Sequence, residues 1–292
     1  MSVAGRVLTV IVGALVVVLG LGGLSLILSG ESEPEPSPSP TSTRPVERTL
    51  LLQVLDAEGY ALGNFVLGVE QEPDSTTVLT VPASLLVGAG DDTRTLGMTP
   101  KSTDTLAAVK GIGATLNLRV DAALTLDRLA FAGLVDAVDG IWVELPTAVR
   151  VPEVGEPAQT RTLGPGWVKL DGLAAADYAV LRLPGEDEQA RIARVQQVVG
   201  LALEGLPRNA ERMRQLLTSL GSLAQSTVPT EELVPFLLQV RWDVNFGDAR
   251  YEVLPVTVVR DGVRPASVPA PGALELVAEL FPDALLEGGV TG

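Results

Sequence analysis

The sequence predicts an α/β fold in which one central twisted sheet is covered by helices on both faces, preceded by a single N-terminal transmembrane helix. Three observations carry the prediction. Apolar runs of strand length, such as LLLQVL and IWVEL, alternate with segments whose apolar residues recur at helical spacing. Those runs are nearly continuous, as expected of strands buried on both faces. Residues 7–29 (VLTVIVGALVVVLGLGGLSLILS) carry no charge and are long enough to cross about 30 Å of hydrocarbon at about 1.5 Å per residue.

The elements follow in order. Arg6 precedes the apolar segment and Glu31, Glu33 and Glu35 follow it, so the positive-inside bias puts residues 1–6 in the cytoplasm and the remainder outside the cell membrane. A cleaved signal peptide is the competing reading, but its apolar region is usually shorter and no A-x-A site follows. Residues 30–47 (GESEPEPSPSPTSTRPVE) are rich in Pro, Ser and Glu and cannot bury apolar surface; they read as an extended tether. At about 3.1 Å per residue its reach is on the order of 50 Å. The outward domain is expected over 48–285, with 286–292 as a tail.

Within it, strands are expected over 49–56, 64–69 and 76–81, the last two joined by the turn-rich QEPDS. Leu106, Val109, Ile112 and Leu116 mark a helix over 103–116, and a strand follows over 120–126. A helix over 129–138 leads through Asp139-Gly140 into the strand IWVEL. Another helix signal follows Leu170. Beyond Pro184 the pattern is helical over 190–206, 209–223 and 231–240, then a strand near 251–259 and a helix near 273–280. No internal repeat is present.

Composition narrows the chemistry. The net charge is −15 in 292 residues, with a pI near 4.4. An acidic surface argues against nucleic acid, and an anionic ligand would have to be held by local arginines. There is no Cys and no His. That removes thiol nucleophiles, Ser-His-Asp triads, structural zinc and lipid attachment through cysteine. Carboxylates, Arg, Lys, hydroxyls or a hard cation remain.

The most informative stretch is LDGLAAADYAVLRLPGEDEQARIARVQQ, residues 170–197, which sets Arg182, Arg191, Arg194 and Gln196 close in sequence. Together with VDAALTLDRLAFAGLVDAVDGIWVELP, residues 120–146, it resembles the LytR-CpsA-Psr family of membrane-anchored cell-wall proteins. The resemblance runs over about 50–282 and is most specific between 101 and 197. It implies a three-layer α/β/α sandwich that holds a polyprenyl pyrophosphate-linked glycan in an arginine-lined pocket and transfers it to the cell wall with Mg²⁺.

The resemblance also assigns positions. VLD places Asp56 at a family aspartate, and Gly63-Asn64-Phe65 occupies a second acidic position. Thr80-Val81-Pro82-Ala83-Ser84 stands where the family has an arginine and an aspartate, so these are Ala83 and Ser84 here. After Asp171-Gly172, Val180 replaces the first of two arginines and Arg182 keeps the second. Arg191, Arg194 and Gln196 match an Arg-x-x-Arg-x-Gln pattern. The implied set is Arg182, Arg191, Arg194 and Gln196 for an anionic lipid head, with Asp56 and Arg182 catalytic and Asp56 and Asn64 as a degenerate Mg²⁺ pair. An Asn keeps an oxygen but loses a full negative charge, and Ala83 and Val180 each remove a phosphate contact.

Three readings follow: a binding or regulatory pseudoenzyme that works with a catalytic paralogue, an active Mg²⁺-dependent phosphotransferase, or a structural envelope protein. The residues themselves leave alternatives open. Arg191 and Arg194 could pair with Glu186, Asp187 or Glu188 as a surface network. Asp56 could be a turn residue, and Asp136, Asp139 and Asp171 read as caps and turns. Lys101 could contact phosphate or simply be solvated. Leu124, Leu126, Leu129, Phe131, Leu134, Val198, Val199 and Leu201 could line a lipid tunnel or form ordinary core.

Overall fold

The computed structural model describes residues 48–286 apart from 72–73, 89, 103, 105, 154–158, 182, 184 and 261–264. The expected membrane helix and tether, 7–29 and 30–47, lie outside the described residues, as does the tail beyond 286. No helix among the described residues is long and apolar enough to cross a membrane.

Strands β1 (Arg48–Leu55), β2 (Ala61–Gln71) and β3 (Asp74–Thr80) form an antiparallel meander. The short pair β4 (Leu86–Val87) and β5 (Arg94–Thr95) leads to α1 (Ala107–Leu116), followed by β6 (Ala122–Leu126), α2 (Arg128–Ala137) and β7 (Ile141–Leu145). Next come the paired β8 (Val149–Glu153) and β9 (Gln159–Leu163), then β10 (Gly166–Leu170), which pairs with β7. Helices α3 (Gly172–Val180), α4 (Glu188–Gly205) and α5 (Ala210–Leu220) lead to β11 (Ala224–Ser226) and α6 (Thr230–Phe246). The described chain finishes with β12 (Asp248–Val253), β13 (Val256–Arg260), β14 (Ala266–Pro269) and α7 (Ala273–Leu280).

The central sheet has the order β11-β6-β1-β2-β3-β12 and is mixed, with β1–β6 and β3–β12 parallel and the other neighbours antiparallel. Its alternation sorts side chains into two cores. Leu50, Leu52 and Val54 of β1 point to one face, with Phe65 and Leu67 of β2, and pack against α2 to α6. Leu51, Val66 and Leu79 point to the other face and pack with Ile112 of α1 and Val277 of α7. The central strands are therefore apolar on both faces, which is why they read as continuous runs.

Four helices start where a side chain accepts a backbone N–H: Asp127 from Ala130 (2.7 Å), Asp171 from Ala174 (2.9 Å), Asp187 from Ala190 (2.7 Å) and Asn209 from Arg212 (2.8 Å). Asp139 and Gly140 adopt left-handed backbone, φ 66° and 74°, and turn α2 into β7. A Cβ on Gly140 would sit 2.6 Å from the Leu170 carbonyl oxygen, so that turn also requires glycine for space.

Several boundaries differ from the sequence expectation. The helix expected from 103 begins at Ala107, after a 3₁₀ segment Leu96–Lys101. The strand expected near 251–259 is two strands, broken where Leu254 donates to the Thr80 carbonyl and Pro255 offers no N–H. Helix α6 extends to Phe246, and 209–223 ends as helix at Leu220, with a 3₁₀ turn leading to β11. Of the residues considered for a lipid tunnel, Leu124, Leu126, Phe131, Leu134, Val198 and Val199 belong to the core beneath α2 to α6. Leu129 is 52% exposed, because it sits on the outer face of the first turn of α2.

Candidate functional site

A cavity of about 330 Å³ opens where the end of β1, the turn after β3, the end of α3 and the start of α4 converge. Asp56, Glu58, Tyr60, Ala83, Ser84, Lys101, Val180, Glu188 and Arg191 line it. Seven of these are positions that the sequence singled out, and they come from five separate segments of the chain. A larger cavity of about 750 Å³ shares Lys101 with it, and four of its other charged residues pair at the surface: Lys110 with Asp104 at 2.8 Å and Arg94 with Asp92 at 3.2 Å.

Asp56 closes β1 with a turn. Its Oδ1 accepts from the backbone N–H groups of Glu58 (3.0 Å) and Tyr60 (2.8 Å), so the residue shapes the loop and lines the cavity at once. Tyr60 lies across Gly97, where a Cβ would come within 2.2 Å of its ring, and its hydroxyl donates to the Ala83 carbonyl at 3.2 Å. Ser84 shares a 2.9 Å hydrogen bond with Ser267. The wall formed by Ala83 and Ser84 is therefore neutral.

Asn64 does not reach this cavity. It faces Gln53 across the β1–β2 ladder and is fully buried. Its Oδ1 accepts from Gln53 Nε2 at 2.8 Å and its Nδ2 donates to the Ala61 carbonyl at 3.0 Å. Gln53 continues to Thr99 and accepts from Thr125 Oγ1 at 3.4 Å. Asn64, expected to share a cation with Asp56, has its amide oxygen on a protein donor inside the sheet. Among the described residues no group of three or more acidic side chains is placed to hold a metal ion. Mg²⁺ needs only one or two carboxylates beside substrate phosphate oxygens, and Asp56 is the expected ligand that lines the cavity.

Helix α4 supplies the cations. Arg191 is 5% exposed and its guanidinium grips Glu188, Nε to Oε2 at 3.0 Å and Nη2 to Oε1. Arg194 is equally buried but does not line the cavity. Its Nη2 donates to Glu186 Oε2 (2.9 Å) and to the Leu181 carbonyl, and its guanidinium lies 5.2 Å from the centre of the Tyr178 ring. Its Nε and Nη1 are buried with no hydrogen-bond partner among the described residues. Burial depresses the Arg194 pKa, opposed by Glu186 and Tyr178, and burial likewise pushes the Tyr178 hydroxyl up. Of the acidic partners that sequence offered as an exposed network, Glu186 and Glu188 pair with the arginines and Asp187 caps α4, yet both arginines are buried. Gln196 is half-buried and does not line the cavity. Arg182 lies outside the described residues.

The remaining acids have structural work. Asp136 accepts from Gly172 N at 2.7 Å, Asp139 pairs with Lys169 at 2.8 Å, and Asp171 caps α3. Sequence reasoning missed Tyr60, Glu58 and Pro265 at the cavity; Tyr60 was discoverable from its place four residues after Asp56, where an Asx turn ends.

A mixed sheet between two helical layers, with one acidic turn and a buried arginine at the rim of its cavity, defines an α/β/α sandwich. Residues 103–247 match the LytR_cpsA_psr family model, which assigns this segment of the chain to the LytR-CpsA-Psr family. Solved structures share the fold. B. subtilis TagV superposes with a TM-score of 0.65 at 16% identity, over 82% of this chain and 98% of that one. A protein from Streptococcus agalactiae gives 0.67 at 16% identity, over 82% and 88%. TagT bound to LI-WTA gives 0.62 at 16% identity, over 82% and 91%. No curated protein matches the chain by sequence.

Proposed function

We propose that this chain is a membrane-anchored, outward-facing protein of cell-wall glycopolymer attachment that binds a polyprenyl (pyro)phosphate-linked glycan with weak or no catalysis. The observation that carries the reading is the composition of the cavity wall: Asp56, Lys101 and Arg191 are present beside Ala83, Ser84 and Val180. A buried arginine and a lysine can hold phosphate oxygens. The positions that would complete a charged transfer site are methyl, hydroxyl and isopropyl groups, and loss of a single arginine from phosphoryl transfer costs on the order of 10³–10⁵ in rate. Arg182, Arg194 and Gln196 belong to the same proposal, Arg194 by fixing Leu181 and Glu186 at the approach to α4. The family match and the TagT complex with LI-WTA support the ligand class. The charge-free stretch 7–29 and the Pro-rich 30–47 support anchoring close to the membrane face where such lipids reside. A catalytic paralogue is the partner this reading calls for.

An active Mg²⁺-dependent phosphotransferase is the second reading, favoured by the retention of Asp56 and Arg191 in one cavity. The discriminating experiment incubates full-length chain in detergent with a lipid pyrophosphate-linked glycan and an acceptor glycan, with and without Mg²⁺. The binding reading expects turnover no greater than that of Asp56→Ala. Mg²⁺-dependent turnover that Asp56→Ala abolishes would overturn it.

A further inference from the structure

Arg191 meets its own chain's carboxylate where it would meet a ligand. Glu188, one turn earlier on α4, occupies two guanidinium N–H groups side by side, the same bidentate arrangement by which arginine takes two phosphate oxygens. The two partners differ in burial. The Arg191 side chain is 6% exposed and fixed in the wall, while that of Glu188 is 41% exposed at the rim of the cavity. Glu186 on Arg194 is a different case: its side chain is 10% exposed and it also accepts from Leu183 N at 3.2 Å, so it is held from two sides.

We propose that Glu188 is an exchangeable internal competitor for Arg191: it fills the arginine fork in the empty protein, and a phosphate-bearing ligand enters by swinging it out. The inference rests on the reading of the cavity as an anion site and adds how that site is gated. Three consequences follow from the geometry. An unpaired arginine never stands in the cavity wall, so the buried cation needs no counter-ion from solvent. Weakly charged anions are excluded, because they must displace a carboxylate already in place, beside Asp56 and Glu58 on the same wall. The ion pair lies partly in water, so displacement is cheap enough for a pyrophosphate to achieve.

The test uses full-length chain in detergent and inorganic pyrophosphate as the probe, with binding read by calorimetry and folding by thermal melting. Glu188→Gln keeps the size and removes the charge. The expected result is affinity about tenfold higher than wild type, the scale of a charge-assisted pair with one buried partner, and loss of that gain in Glu188→Gln/Arg191→Ala. If Glu188→Gln binds no tighter than wild type while Arg191→Ala weakens binding, the competitor is refuted and the anion site survives. If neither wild type nor Glu188→Gln binds although both melt cooperatively, the competitor and the anion site fail together.

Discussion

Arg128 and Asp177 are joined by two hydrogen bonds, Nε to Oδ1 at 2.5 Å and Nη2 to Oδ2 at 2.7 Å, which tie the first turn of α2 to the middle of α3. That hydrogen bonding raises the Arg128 pKa. The Asp177 side chain is 8% exposed and that of Arg128 21%, so truncating Asp177 leaves a guanidinium that water reaches only in part. Asp177→Ala is expected to cost about 2–4 kcal/mol, below the upper range for buried pairs because Arg128 is partly solvated. Denaturant unfolding of Asp177→Ala, Arg128→Ala and the double variant checks this; additive losses would show that the pair does not act as a unit.

Asp171 predicts an acid limit. The N–H of Ala174 holds its carboxyl below the ordinary 3.8; burial opposes this and Arg161 assists. A depressed folded pKa gives stability that is complete above the unfolded value and is lost as pH falls through the folded one. Asp171→Ala should therefore be less stable than wild type by about 1 kcal/mol at pH 7. Thermal melts should show that gap closing below about pH 4. A gap that persists unchanged in acid would mean that the carboxylate charge contributes nothing.

Asn64→Asp tests the neutral network inside the sheet. A carboxylate there would set one oxygen against the Ala61 carbonyl that Asn64 Nδ2 now bonds at 3.0 Å, in a fully buried position. The expected loss is about 3–5 kcal/mol, or a carboxyl held protonated at neutral pH. Melting with and without millimolar Mg²⁺ should be the same. Restoration of stability by Mg²⁺ would show that this position can open onto a cation site after all.

Val180 stands in the cavity wall beside Arg191. Val180→Arg adds a cation facing the same space and is expected to raise pyrophosphate affinity about tenfold, the value of one further charge-assisted contact. Unchanged affinity, measured by calorimetry on a variant that melts like wild type, would mean that the anion does not lie near the end of α3.

The core strands and helices were legible because burial on both faces writes a strong pattern. LLLQVL became β1, Asp127-Arg128 opened α2 through a capping aspartate, and 273–280 coincides with α7. The stretch from Val149 to Leu170 was not assigned. Its strands are held in two-stranded ladders and are crowded with Pro and Gly, so neither periodicity nor burial marks them. Of the expected site residues, Asp56 and Arg191 line one cavity with Ala83, Ser84, Lys101 and Val180, whereas Asn64, Arg194 and Gln196 do not. What sequence could not supply was partner choice. Asn64 turned to Gln53 because cross-strand register put them opposite each other, and Arg194 turned beneath Tyr178 because the start of α4 packs on α3.

The most direct test of the central claim is binding of a polyprenyl pyrophosphate to full-length chain, by calorimetry with and without Mg²⁺, comparing wild type with Arg191→Ala and Arg182→Ala. The account predicts binding without any requirement for Mg²⁺ that each substitution weakens about tenfold or more. No binding by a folded wild-type chain, or binding that neither substitution changes, would contradict it.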